Sequence, residues 1–276
     1  MEFTVGIPTH KPGPYIYKCL DSLCRQTMAA TEFEVIIVLN GPKDPYFQQI
    51  DDYLRQHADT LNARLLHTEV MGVSNARNLI LDQAQGDSIC FVDDDDFVSD
   101  NYLAHFSEAL KGSEGCIAIA NVKGYDETTC TLTEDYLGRA FLRNKGHRRF
   151  HILNIHDLLS TSWCKAIPKA IIAGRRFDTR FKVGEDAIFM FSVSDKIKGA
   201  RFTTDDTVYY RDLRAGSVLR NNIPVGFFVK NALRLWSRYL AIFFSGKGRY
   251  NFPLLVNRLL AVAKSHSKCI IMGIKN

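Results

Sequence analysis

The chain has 276 residues, 46% of them apolar or aromatic, enough to pack the core of one large domain and too many for a disordered protein. Its formal charge of +5 conceals a split: residues 211–276 hold 12 Lys and Arg against the single acid Asp212, while residues 1–210 hold 23 against 29 acids. An acidic body with a basic tail directs that tail towards phosphates, nucleic acid or anionic lipid. The Cys at 19, 24, 90, 116, 130, 164 and 269 are odd in number and lack metal-ligand spacing, so no disulfide framework is expected. The N-terminus runs into a strand without a signal peptide, and no uncharged apolar run reaches about 18 residues. A cytoplasmic location and no membrane span are the expectations.

Phe3–Pro8 reads as a short buried strand stopped by proline, and Tyr15–Gln26 has helical spacing at Ile16, Cys19, Leu20 and Leu23. Phe33–Leu39 is a continuous apolar run, the pattern of a strand covered on both faces of a parallel sheet. A helix over about 45–57, a strand near 63–67, a helix over 72–85 and a strand over 87–92 follow. The order β-α-β-α-β-α-β predicts an α/β fold with a mostly parallel sheet flanked by helices. In such sheets ligands bind beyond the carboxyl ends of the strands. Pro8-Thr9-His10, Asn40-Gly41 and Asp93–Asp96 are three of those ends. Four consecutive carboxylates repel one another unless water, a proton or a cation intervenes. They read either as a solvated turn capping the helix 101–110 or as a ligand site, and the polar loops collected at the same edge favour the site.

Cys116–Val122 predicts a fifth strand. The basic stretch Leu137–Arg149 reads either as a mobile loop over a phosphate-bearing substrate or as an exposed surface helix. Gly184 precedes a helix over 185–196 whose first turn holds Glu185 and Asp186, where the helix dipole stabilises negative charge. Thr207–Tyr210 is a last strand, and its loop carries Arg211 and Arg214, which either grip a diphosphate or lie as surface charge. Further on, Lys230, Arg234 and Arg238 line one helical face, with Phe227, Leu233, Trp236, Leu240 and Phe243/Phe244 as the apolar counterpart. That helix either lies on an anionic membrane or packs on the main domain.

Three stretches, in order over about 1–220, resemble the family 2 glycosyltransferases with a GT-A fold. Phe3–Thr9 with the helix Cys19–Thr27 (CLDSLCRQT) is the first. Met71–Asn78 (MGVSNARN), Gly86-Asp87 and Phe91–Asp96 (FVDDDD) form the second. Arg176-Phe177-Asp178 and Gly184–Phe189 (GEDAIF) form the third. The resemblance implies inverting transfer of a sugar from a nucleotide-diphospho-sugar, a UDP-sugar first, to a hydroxyl of a glycan or polyprenyl-linked acceptor in surface polysaccharide synthesis.

It also implies roles by position. Asp95 and Asp93 match the DXD motif and would hold Mn²⁺ or Mg²⁺, with Asp94 at the donor ribose. Asp186 matches the general base, with Glu185 its partner. Arg77 would face the donor pyrophosphate or sugar, Pro8, Thr9 and His10 the base and ribose, and Trp163 and Lys165 the acceptor. Asn40 stands where the family often has an acid, and its amide can still bond a nucleobase. The expected organisation is a transferase domain over 1–220, its donor half about 1–122 and its acceptor half about 123–220, followed by a basic amphipathic helical extension over 221–276 that either meets the inner face of the membrane or packs on the domain. A sugar-phosphate nucleotidyltransferase would carry a Gly-rich, Arg/Lys-containing loop after the first strand, which Gly6–His10 does not supply. A binding protein without chemistry would have no use for Asp95, Asp186 and Arg77 together. No motif for nucleic acid is present, and none is expected as a partner.

Overall fold

The computed structural model describes residues 1–147, 149–213 and 225–274, the last stretch with side chains for 226–267. Strands β1 (Phe3–Thr9), β2 (Phe33–Asn40), β3 (Ala63–Thr68) and β4 (Ser88–Phe91) alternate with helices α1 (Tyr15–Cys24), α2 (Tyr46–Gln56) and α3 (Val73–Gln83). Every residue of β1 and β2 is buried, which is why both read as mainly apolar runs rather than alternating ones; the buried Glu34 accepts from Thr4 Oγ1 at 2.8 Å and from Arg64 at 2.7 Å. They pair in parallel from Phe3↔Phe33 to Thr9↔Leu39, and β4 flanks β1 from Phe3↔Ser88 to Gly6↔Phe91. That register brings Thr9, Asn40 and the aspartate run to one edge.

Next come β5 (Phe97–Val98), α4 (Tyr102–Leu110), β6 (Cys116–Ile119), β7 (Asn121–Asp126), β8 (Thr131–Glu134) and α5 (Tyr136–Asn144). The single strand expected over 116–122 is two strands in two sheets. Asn121 makes the break: its Oδ1 accepts from Val122 N at 2.9 Å and its Nδ2 donates to Asp205 O at 3.0 Å. The polar residues 131–134 form β8, fully exposed and paired antiparallel to β7. Of the two expectations for 137–149, the surface helix holds over 136–144, where Arg139, Leu142 and Arg143 are exposed, but α5 also has a buried face. Asp135 caps this helix by accepting from Leu137 N at 2.8 Å, and Leu137, Ala140 and Phe141 are buried. Gly138 lets it approach β7 closely, since a Cβ there would stand 2.2 Å from Val122 O.

The remaining elements of the body are β9 (Lys165–Pro168), α6 (Lys169–Ile172), α7 (Glu185–Val193), β10 (Gly199–Phe202) and β11 (Val208–Asp212). The larger sheet has seven strands in the order β10-β6-β9-β4-β1-β2-β3, and β9 alone runs antiparallel to its neighbours. The smaller sheet runs β5-β11-β7-β8.

Helices α8 (Val225–Ser245) and α9 (Phe252–Ile274) close the chain as an antiparallel hairpin, with Asn231 beside His266 and Phe243 beside Phe252. The hairpin packs on α7: Tyr239 and Tyr250 flank Phe191 at 5.2 and 5.4 Å, and Tyr250 Oη donates to Ser192 O at 2.9 Å. Arg238, expected on a basic outer face, instead pairs with Asp178 of the body at 2.8 Å. Packing on the domain is therefore settled for one face of α8. Among the described residues no helix is long and apolar enough to cross a membrane.

Candidate active site

The site lies where β1, β2 and β4 end. Thr9 Oγ1 donates to the Asp94 carboxylate, tying the end of β1 to the aspartate run. Asn40 sits behind this wall, 3% exposed, with Nδ2 donating to Thr9 O at 2.7 Å and Oδ1 accepting from Gly72 N at 2.9 Å. Its amide thus pins β1 and the loop before α3. The nucleobase contact expected of Asn40 is not the use this geometry makes of it. His10 is exposed and donates from Nδ1 to Asn40 O at 2.6 Å, its ring against Gly41. A Cβ on Gly41 would stand 2.8 Å from that ring, and its φ of 97° also favours glycine. Pro8 is buried beside Thr9.

Arg77 is the centre. It projects from α3 and is 3% exposed. Nη1 bonds Asp186 Oδ1 at 2.6 Å and lies 3.5 Å from Glu185 Oε1, while Nη2 bonds Asp93 Oδ1 at 2.9 Å. The guanidinium also stands over the rings of Phe177 and Phe91, 5.4 and 5.9 Å from their centroids. One planar fork therefore joins an acid of the β4 loop to the two acids that open α7, 16 and 109 residues away in sequence. Burial works against the cation, yet Asp186, Asp93 and Glu185 together raise its pKa. On the acidic side, burial lifts Asp93 to about 6 against the pull of Arg77, with Asp186 and Asp95 adding to the rise. Burial and the neighbouring Asp186 lift Glu185 to about 7.

Gly184, with φ 89°, turns the chain into α7. Asp186 is then held from two sides, because Ser162 Oγ also donates to Oδ1 at 2.9 Å. Among the described residues no hydrogen bond engages its Oδ2. A carboxylate with one oxygen anchored and the other at an 85% buried side chain is oriented for proton transfer.

The rest of the aspartate run is divided between two surroundings. Asp96 is buried, accepting from Tyr209 Oη at 2.7 Å and from Asp212 N at 2.8 Å, and burial pushes its pKa well up. Tyr209 Oη in turn accepts from Asp93 N at 3.1 Å, and its ring stacks on Trp163 at 4.7 Å. Asp95 remains half-buried at the turn. Among the described residues no three His, Cys, Asp or Glu side chains converge as a metal site.

Two expected residues stand elsewhere. Lys165 is fully buried, and Nζ donates to Trp163 O at 2.6 Å, Thr161 O at 2.9 Å and Thr161 Oγ1 at 3.1 Å. It shapes the loop that carries Ser162 and Trp163 and presents no surface to an acceptor; burial lowers its pKa. Arg211 pairs with Asp135, the cap of α5, at 2.6 Å. The diphosphate role expected of Arg211 competes with that pair, and Arg214 lies outside the described residues. Ser162 and Tyr209 were not singled out in the sequence. Hydroxyls in "TSW" and "VYY" carry no spacing signal, and only the fold turns them towards acids.

Residues 4–176 match the family model described as glycosyl transferase family 2. The chain belongs to glycosyltransferase family 2. Among its relatives, the poly(ribitol-phosphate) beta-N-acetylglucosaminyltransferase TarS of Staphylococcus aureus is 31% identical over 124 residues, 45% of this chain and 21% of that protein. The chain thus aligns with only about a fifth of that relative's length. Glycosyltransferase GlyG of Streptococcus pneumoniae is 24% identical over 260 residues, 88% of this chain and 78% of that one. The crystal structure of S. aureus TarS 1–349 with UDP-GlcNAc superposes with a TM-score of 0.71 at 22% identity, covering 87% of this chain and 67% of that one. The mannosyltransferase PcManGT of Pyrobaculum calidifontis, in complex with GDP-Man and Mn²⁺, gives 0.63 at 15% identity over 99% and 73%. At these identities the structures establish the fold, the GT-A arrangement that the family resemblance implies.

Proposed function

We propose that this family 2 glycosyltransferase transfers a hexosyl or N-acetylhexosaminyl group, with inversion, from a nucleotide-diphospho-sugar to a hydroxyl of a glycan or polyprenyl-linked acceptor. The observation that carries the reading is the Arg77 fork, which bonds Asp186 through one terminal nitrogen and Asp93 through the other, so that a donor-side acid and the proposed base share one buried cation. Departure of a diphosphate and deprotonation of an incoming hydroxyl occur on opposite sides of one carbon, and such a reaction needs a donor-side acid and a base held in a fixed relation, as one guanidinium holds Asp93 and Asp186. UDP-GlcNAc in the TarS complex favours a UDP-sugar as donor.

In this mechanism Asp186, anchored through Oδ1, takes the acceptor proton through Oδ2 as the oxygen attacks the anomeric carbon. Glu185, raised to about 7 by burial and its acidic neighbour, is in part protonated near neutrality and so limits the negative charge gathered around Asp186. A single displacement with one base inverts configuration, whereas retention through a covalent intermediate needs a carboxylate nucleophile. Thr9 and its partner Asp94, with Pro8 and His10, line the donor side. Asp95 and Asp93 offer hard oxygen ligands suited to Mn²⁺ or Mg²⁺; among the described residues no third ligand converges on them, so these two carboxylates would hold such an ion. Such an ion, when bound, neutralises charge on the leaving diphosphate.

We assign the transferase domain to 1–220, with donor and acceptor halves about 1–122 and 123–220, and place the enzyme on the cytoplasmic side of the membrane, where surface polysaccharide precursors are assembled. The decisive test is thermal stabilisation by UDP-GlcNAc, UDP-glucose and GDP-mannose with and without Mn²⁺, followed by NMR of the product's anomeric proton. Stabilisation by a nucleotide sugar and an inverted product are expected. Failure of every donor to stabilise the protein, or retention of configuration, would overturn the reading.

A further inference from the structure

The C-terminal hairpin has two apolar faces, and the body covers one. On α8, Phe228, Leu235, Tyr239 and Ile242 are buried at helical spacing. A second stripe on the same helix, Leu233, Trp236, Leu240 and Phe244, repeats at steps of three and four and is 36 to 72% exposed. On α9 the exposed stripe is Phe252, Val256 and Leu260, each four residues apart, with Leu260 at 64%. Trp236 Nε1 donates to Leu259 O at 3.0 Å, so the two stripes run side by side. A helix apolar on two sides requires two partners, and contiguous exposed apolar surface of this kind marks an interaction site.

Charge identifies the partner. Residues 213–276 contain 11 Lys and Arg and no Asp or Glu. Three of these cations face the body: Arg238 pairs with Asp178, Arg249 stands 3.9 Å from Asp195, and Arg258 donates to His156 O. Lys230, Arg234, Lys247 and Lys264 are exposed on the hairpin. A second copy docked through the same face would set cation against cation, since a two-fold interface apposes identical patches. An anionic lipid surface instead accepts both features, taking the apolar stripe into its interfacial layer and the cations at its headgroups.

We propose that the outer face of the α8–α9 hairpin docks the protein on an anionic bilayer, lying on it without crossing. This rests on the proposed transfer only for its purpose, namely bringing a lipid-linked acceptor to the site. The hairpin also buttresses the base. Leu235 packs on Gly184, where a Cβ would lie 3.0 Å from the Leu235 side chain, and Asn231 Nδ2 reaches Val183 O at 3.4 Å. The helix that meets lipid is thus the helix against which the turn into α7 is set.

The test is co-sedimentation of the full chain with vesicles of phosphatidylcholine alone and of phosphatidylcholine containing about one-third phosphatidylglycerol. Binding to the anionic vesicles at least about tenfold tighter than to the neutral ones, weakened by added salt, is expected. The double variant Leu233→Glu with Leu260→Glu, both at exposed positions, should lose that binding by about tenfold or more while its melting temperature and donor-induced stabilisation stay those of the parent. Equal or absent binding to both vesicles, or full retention by the variant, overturns docking. So does a dimer in light scattering that the variant dissociates, which assigns the face to a second copy. Vesicle binding needs no donor, so a failed donor screen and a failed docking test are separate results.

Discussion

Replacing Arg77 with Met keeps most of the side chain's bulk and removes its charge. The guanidinium is 3% exposed and faces Asp186 at 2.6 Å, Asp93 at 2.9 Å and Glu185 at 3.5 Å. Removing one partner from a buried ion pair costs about 3–5 kcal/mol, because the remaining charges are neither solvated nor compensated. In a chain of this size that lowers the melting temperature by roughly 10 °C. The loss has a direction with pH. Asp93 and Glu185 already titrate at about 6 and about 7, and without the cation both rise further above their unfolded values. A carboxyl raised in the folded state holds protons that the unfolded chain releases, so stability falls as pH increases through its folded pKa. The variant's deficit should therefore be smaller at pH 5, where Asp93 and Glu185 are largely protonated, and reach its full size at pH 8. Urea unfolding at both pH values measures this. Arg77→Lys, which restores charge but not the fork, should recover part of the stability and little of the transfer rate. A deficit below about 1 kcal/mol at pH 8, or the same deficit at both pH values, would show that Arg77 does not hold the three acids together.

Asp186→Asn should abolish transfer while donor binding, measured by calorimetry, stays within about threefold of the parent; an active variant removes Asp186 as the base. Asp95→Ala should lose the Mn²⁺ dependence of donor-induced stabilisation, and an unchanged Mn²⁺ titration would take that carboxylate out of the ligand set. Glu185→Gln should flatten the pH dependence of stability. The parent's Glu185, raised from 4.5 to about 7, favours the fold below pH 4.5 and loses that contribution as pH rises through 7, an effect of up to about 3 kcal/mol. Parallel stability curves for the two proteins between pH 4.5 and 8 would contradict it. Gly138→Ala should destabilise the protein by about 1–3 kcal/mol in urea unfolding, since its Cβ would meet Val122 O at 2.2 Å. A neutral effect there would mean that α5 stands further from β7.

The parallel part of the sheet was legible because strands covered on both faces are predominantly apolar, as β1 and β2 are apart from Thr4, Thr9, Glu34 and Asn40. The antiparallel insertion β9 was not. Lys165 and Pro168 bound its two apolar residues, and a lysine inside a seven-stranded sheet is tolerable only because its ammonium finds three oxygens in the preceding loop. Helix α5 was obscured for a related reason. Its basic residues suggested an outer surface, while Leu137, Ala140 and Phe141 supplied a buried stripe only three residues wide. The aspartate run was visible as four like charges, but the division of labour within it depends on Thr9, Tyr209 and Arg77 arriving from three other elements.

By itself the sequence determined the α/β class, the family to which the chain belongs and the stretches that supply the acids. Local periodicity and short motifs are properties of neighbouring residues, and they survive without the fold. The tertiary structure decided how those acids relate. It joined Asp93 to Asp186 through one guanidinium, diverted Asn40, Lys165 and Arg211 to structural partners, and recruited Ser162 to orient Asp186. Which atom faces which across about a hundred residues follows from strand order and helix placement, because the chemistry of a carboxylate depends on the charge and water left around it once the core has closed.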